Sequence, residues 1–174
     1  MSELTNTGSK IERLVKYLID AEYKGRKLAL ATQFDAWIEG GRIVPSGKRI
    51  NSNGLIGGRF YYSAAISINP CSAPVELICA FVSFWLQEHG DTEDSSEVEF
   101  SSDKNDDNSS DIELTIETFV EDIELIEKAN GPFVLNNKCY DFGKQSLWIA
   151  ETFTLTEQVI ADEFKPDEVV VEDE

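Results

Sequence analysis

The sequence predicts an α+β fold: a mixed or antiparallel β-sheet packed on one side by an N-terminal amphipathic helix and a long hydrophobic central helix. Three observations point there. Phe60 to Asn69 alternates Phe60, Tyr62, Ala64, Ile66 and Ile68 with smaller or amphipathic residues, the period of a strand with one inward face. Pro74 to Gly90 reads as a helix with almost no polar side, because only Glu76, Ser83 and Gln87 interrupt its apolar run. Ile112, Leu114 and Ile116 then resume the strand period.

Taken in order, Met1 to Gly8 reads as a flexible N-terminus. Ser9-Lys10-Ile11-Glu12 has the form of a capping box, with Ser9 positioned to accept from the third helical amide and Glu12 to reach back. The helix it opens carries Ile11, Leu14, Val15, Leu18 and Ile19 at three- and four-residue spacing, and Gly25 is its expected stop. Leu28 to Glu39 shows a weak alternation, read as an extended strand broken near Gln33, with a turn at Gly40-Gly41. Residues 42–58 hold so many Gly, Ser, Asn and Pro that a long loop is expected, or a hairpin built around it.

The central helix is expected to start at Pro74, whose fixed φ suits a first position, with Ser72 or Ala73 as cap and Glu76 in the positive first turn. His89 and Gly90 close it. A helix this apolar is expected to be buried on most sides or to lie in a subunit interface. Glu97 to Phe100 reads as a short strand, and residues 101–110 as an acidic loop. Asn130-Gly131-Pro132 predicts a hairpin between Asp122–Ile126 and Phe133–Leu135. Ser146 to Phe153 is a further strand candidate anchored by Trp148, and residues 164–174 read as a mobile acidic tail.

With 174 residues the chain fits one domain, expected over 9–163, with tails. No apolar run qualifies as a transmembrane segment or a secretory signal. Cys71, Cys79 and Cys139 are odd in number and lack metal-site spacing, so buried thiols in a reducing compartment are expected. The net charge of −18 is unevenly placed. Met1 to Phe60 is +4, Asp91 to Glu127 is −14, and Asp162 to Glu174 is −6. One basic end and a strongly acidic middle suit opposite contacts between neighbouring subunits, whereas a phosphate-binding surface would need clustered Lys/Arg.

Chemistry is sparse. The single histidine, His89, sits at a helix end and suits capping. Gly47-Lys48 lacks the earlier glycine and following Ser/Thr of a phosphate loop, and the glycines of 54–58 precede a strand. Asp103, Asn105 and Asp107 match the first ligand positions of a calcium loop, but Asn108 replaces the turn glycine and Leu114 the bidentate Glu. No cofactor, metal or catalytic group is expected. That leaves a protein acting by contact, either in an assembly or as a monomeric acidic adaptor or inhibitor of a basic partner.

The order of elements resembles the phage tail completion protein family (GpR type) of contractile-tailed bacteriophages. The residues that carry this are the strand at 60–69, the helix ending in Trp85-Leu86-Gln87-Glu88, the acidic Asn/Asp/Ser loop, and Asp111-Ile112-Glu113-Leu114-Thr115-Ile116-Glu117. The likeness covers Ile11 to Leu135. It implies a tail terminator: a homo-oligomeric ring, hexameric by expectation, that caps tube and sheath at the head-proximal end and meets a head-side connector, while DNA passes through without specific binding. Interface candidates are then Arg42, Lys48, Arg49, Arg59, Glu76, Trp85, Glu97 and Glu99. Lumen candidates are Asp103, Asp106, Asp107 and Asp111, since like charge keeps DNA from adhering.

Overall fold

The computed structural model describes residues 8–143. Helix α1 (Lys10–Asp20) opens with the capping box: Ser9 accepts from the Glu12 amide, and the Glu12 carboxylate accepts from the Ser9 amide. Its stripe of Ile11, Leu14, Val15 and Leu18 is buried. The helix ends at Asp20 and not at Gly25. Lys24 and Gly25, at φ 50° and 74°, instead form the tight turn between the short strands β1 (Glu22–Tyr23) and β2 (Arg26–Lys27).

A single 3-10 turn (Ala31–Gln33) leads into β3 (Phe34–Arg49), which pairs along its length with β4 (Gly54–Cys71). After β4 come α2 (Val75–His89), β5 (Glu99–Lys104), β6 (Ser110–Glu127), β7 (Phe133–Leu135) and β8 (Lys138–Phe142). One antiparallel sheet runs β3-β4-β6-β8-β7, and β5 joins the same side of β6 as β8. Strands β4 and β6, 18 residues each, therefore form the spine. The turn between β7 and β8 uses Asn136 and Asn137 at φ 50° and 62°, values a two-residue hairpin turn requires.

The α+β expectation built on a long central helix does not hold. The described residues are mainly β, and α2 is a 15-residue cover on one face of the sheet with only Ile78, Val82 and Trp85 buried. Phe84 on its outer side is 71% exposed. Two loops also shrink. Residues 42–58 are mostly strand with a connection at 50–53, and the acidic loop is 105–109 because β5 runs to Lys104. The hairpin read around Asn130-Gly131-Pro132 is replaced by β7–β8, since β6 continues unbroken to Glu127 and pairs with β8. Ser146 to Phe153, Trp148 and the acidic tail lie outside the described residues.

Composition misled over residues 42–58 because its turn-forming residues serve strand irregularities. β-bulges interrupt the β3–β4 ladder between Ile38 and Gly40 and between Pro45 and Lys48, and each re-aims the strand. Pro45 is tolerated because β3 is an edge strand. At Gly41 the two backbones come so close that any Cβ would run into the Tyr61 carbonyl. Gly41→Val is therefore expected to lower stability by about 1–3 kcal/mol, read as the urea midpoint. An unchanged midpoint would mean that the bulge absorbs the side chain.

The bulges divide the sheet into a base and an arm. In the base, Tyr62, Ala64, Ile66, Ile68, Ile112, Leu114 and Ile116 share a core with α1 and α2. The arm comprises residues 41–61, the end of β6, and β7–β8. Its own small cluster is Leu55, Leu125 and Tyr140 with Ile123 against them. Here the sheet curls until its two edge strands approach: a Cβ on Gly47 of β3 would sit 3.7 Å from Leu135 Cδ2 of β7.

The outer edge of β6 is completed by a loop. β5 pairs with β6 only up to Thr115, and β8 pairs with it only from Leu125 onward. Between them Ser95 exchanges bonds with the Thr118 backbone (2.8 and 2.7 Å), and Asp94 Oδ1 accepts from the Val120 amide at 2.8 Å. The other Asp94 oxygen accepts from Lys10 Nζ at 2.6 Å and the Asp91 amide at 2.7 Å. Backbone groups that would otherwise be orphaned at this gap are thereby paired.

Candidate functional site

Two surfaces stand out, one at each end of the sheet. The first is the sheet face opposite α1 and α2. Strand alternation turns Asp35 and Trp37 of β3, Ser67 of β4, Asp111, Glu113, Thr115 and Glu117 of β6, and Glu99, Ser101 and Asp103 of β5 to this side. Register aligns them in rows: Trp37, Ala65, Thr115 and Glu99 in one, and Asp35, Ser67, Glu113 and Ser101 in the next. Four strands at about 4.8 Å spacing make a patch roughly 14 Å across, acidic throughout and with one large aromatic ring, Trp37, 38% exposed. Asp35, Glu99, Asp103, Glu113 and Glu117 form none of the ion pairs among the described residues.

The second surface is the arm end. Arg42, Lys48 and Arg49 project there, exposed and without a carboxylate partner among the described residues. The Arg42 guanidinium lies over the Tyr61 ring, 3.7 Å from its centroid, which fixes the side chain in a cation–π contact. Around these cations the arm exposes Ile43, Val44, Ile50, Ile126, Phe133, Val134, Leu135 and Phe142. Those are eight of the thirteen large hydrophobic residues exposed among the described residues, a concentration that marks a contact surface more than scattered exposure does.

The remaining candidates fall elsewhere. Arg59 is neutralised within the subunit by Asp122 at 3.0 Å and by Glu93, and its guanidinium is held firmly charged by Asp122 first of all. Glu76 is exposed in the first turn of α2, and Glu97 is exposed just before β5. Trp85 is 3% exposed and belongs to the base core, so its surface is used inside the subunit. His89 stacks on Trp85 with Nδ1 3.1 Å from the Trp85 carbonyl. Asp106 and Asp107 occupy the tip of the 105–109 loop, with Asp111 at its root accepting from the Asn105 side-chain Nδ2. Asp106 is held below the usual carboxylate range by the Asn108 amide and Ser109 hydroxyl.

Buried polar groups support the architecture. The Tyr62 hydroxyl donates to Glu121 at 2.6 Å, while Glu121 also accepts from the Lys10 amide at 2.9 Å. Burial and the Glu121 charge push the Tyr62 hydroxyl far above its ordinary pKa, so it stays a donor. The three thiols are unpaired, with Cys71 buried and Cys79 and Cys139 partly exposed. Burial raises Cys71 and Cys79 and leaves both poor nucleophiles. No group of three metal-ligating side chains occurs among the described residues, and no helix among them is long and apolar enough to cross a membrane.

The family model of the P2 phage tail completion protein R (GpR) matches residues 8–141. The chain belongs to this tail completion family. A relative from Haemophilus phage HP1 (strain HP1c1), named only as an uncharacterized 19.2 kDa protein of the rep-hol intergenic region, is 28% identical over 135 residues, 72% of this chain and 79% of the relative. No solved structure matches the chain. The GpR match spans both ends of the sheet, base and arm. As a tail completion protein it is a structural component of the phage virion. Sequence reading named Arg42, Lys48, Arg49 and the acids of the 103–111 segment, and did not single out the Trp37 face or the β7–β8 apolar cluster. The signal for the former was the weak Asp35, Trp37, Glu39 alternation; for the latter it was Asn136-Asn137 between short apolar runs.

Proposed function

We propose that this tail completion protein caps the head-proximal end of a contractile tail as a hexameric ring, seals tube and sheath, and offers the surface to which the head-side connector joins. It acts through contacts and carries out no reaction of its own. The observation that carries this reading is membership of the tail completion family over residues 8–141, base and arm alike. Head-to-tail interfaces close into rings when the rotation allows. Within the ring, the 105–109 loop with Asp106 and Asp107 faces the bore, and Asp103 and Asp111 stand at its root. Negative charge there lets DNA pass without counterion-releasing contacts.

The test uses the purified full-length protein and a phage stock defective in its gene. Ring-shaped particles by negative-stain microscopy, together with restored joining of heads to mutant tails on adding the protein, are the expected results. A monomer that restores joining without forming rings would overturn the ring. A monomer that instead binds a basic protein and does not restore joining would favour the adaptor reading.

A further inference from the structure

One face of the sheet is covered in the base and bare in the arm. In the base, Phe60, Tyr62 and Phe119 lie on the side that α1 and α2 cover. Register carries that side into the arm: Ile43 pairs with Phe60, Leu125 with Leu55 and Phe142, and Tyr140 with Phe133. No residue of α1 or α2 belongs to the arm cluster, and Ile43, Phe133, Leu135 and Phe142 stay 38% to 56% exposed. The reverse side of the arm is charged, with Val44, Arg59 and Asp122 in one row and Lys48, Ile56 and Glu124 in another. The apolar side is thus the one that calls for a second layer.

The chain carries such a layer at the right place. β8 runs antiparallel to β6, from the arm back towards the base, and the Gly143 amide still donates to the Glu124 carbonyl at 2.9 Å. Ser95 and Asp94 already hold the β6 edge at Thr118 and Val120. A chain continuing along this edge therefore meets it occupied after about three residues and must turn onto a face. Residues 147–155 then read Leu-Trp-Ile-Ala-Glu-Thr-Phe-Thr-Leu, five large apolar side chains with Glu151 the single charge. Extended, they reach roughly 30 Å, more than the roughly 17 Å along β4 from the Leu55 row to the Phe60 row.

We infer that residues 147–155 of the same chain lie across the helix side of the arm, with Trp148 and its apolar neighbours over Phe142, Phe133 and Ile43. They supply there the layer that α1 and α2 supply in the base. The contact is internal to one subunit and does not rest on the ring.

The experiment is amide exchange by mass spectrometry on the full-length chain. Trp148→Ser with Ile149→Ser is expected to speed exchange of 54–58 and 123–126 by about tenfold or more. Amides of 64–68 and 112–116 are expected to keep their rates, which shows that the variant is folded. Ile43→Asp, at a position already 56% exposed, is expected to speed exchange of 147–155 by a similar factor. Val44→Asp, its neighbour on the reverse side, is expected to leave 147–155 unchanged, and Val169→Ser with Val171→Ser to leave the arm unchanged. Unprotected 147–155 in wild type would overturn the inference outright, as would arm rates indifferent to the Trp148 variant. An effect of Val44→Asp in place of Ile43→Asp would put the segment on the wrong face. Arm protection that falls as wild type is diluted would assign the cover to a neighbouring copy and overturn it as well.

Discussion

Replacing Asp94 with alanine is expected to cost about 3–5 kcal/mol of folding stability, measured by urea denaturation. The Asp94 side chain is 4% exposed and Lys10 opposite it is 9% exposed, so truncation strands a buried ammonium. The same change orphans the Val120 and Asp91 amides, which no neighbouring strand can take over because β5 and β8 both stop short of this gap. Asp94→Asn keeps an acceptor and should lose less. Combining Lys10→Met with Asp94→Ala should recover part of the loss, because removing both charges removes the stranded one. If Asp94→Ala costs under about 1 kcal/mol, Lys10 has swung out to water and the bridge that Asp94 makes between Lys10 of α1 and Val120 of β6 is not needed.

Phe119→Ala is expected to be as damaging, at about 3–5 kcal/mol, through a cavity where base meets arm. Phe119 is fully buried, pairs in register with Tyr62, and its ring lies 5.5 Å from the Tyr62 ring. Tyr62 is itself tied to Glu121 and through it to the start of α1, so a void here loosens several elements together. Phe119→Leu, which refills most of the volume, should cost less than half as much. Equal losses for the two variants would point to ring stacking instead of volume. Both effects are checked in one denaturation series.

Local signals were legible where local physics decides the outcome. Ser9 and Glu12 announce their capping box, and the alternation at 60–68 and 112–116 places the base strands correctly. The error about α2 has a physical origin: an apolar sequence states what could be buried, and only the packing partners available decide what is. Ile78, Val82 and Trp85 find the sheet, while Phe84 finds solvent in the isolated subunit. The loop misreading at 42–58 arose because Gly41, Pro45 and Gly47 are chosen for bulges, an edge and a close approach, features set by pairing with a distant strand. For the same reason charge asymmetry was visible along the chain, but the alignment of Trp37, Thr115 and Glu99 in one row was not. That alignment depends on register among three strand pairs.

The two unequal cores imply an uneven resistance to opening. Twenty-one buried residues hold the base cluster, and three hold that of the arm. Native-state amide exchange should therefore show Leu55 and Leu125 trading hydrogen for deuterium well before Ile66 and Leu114, through a sub-global opening that leaves the base folded. Equal protection at both ends would contradict this. The arm is thus the least settled part of the subunit, a region that opens on its own while the base stays closed.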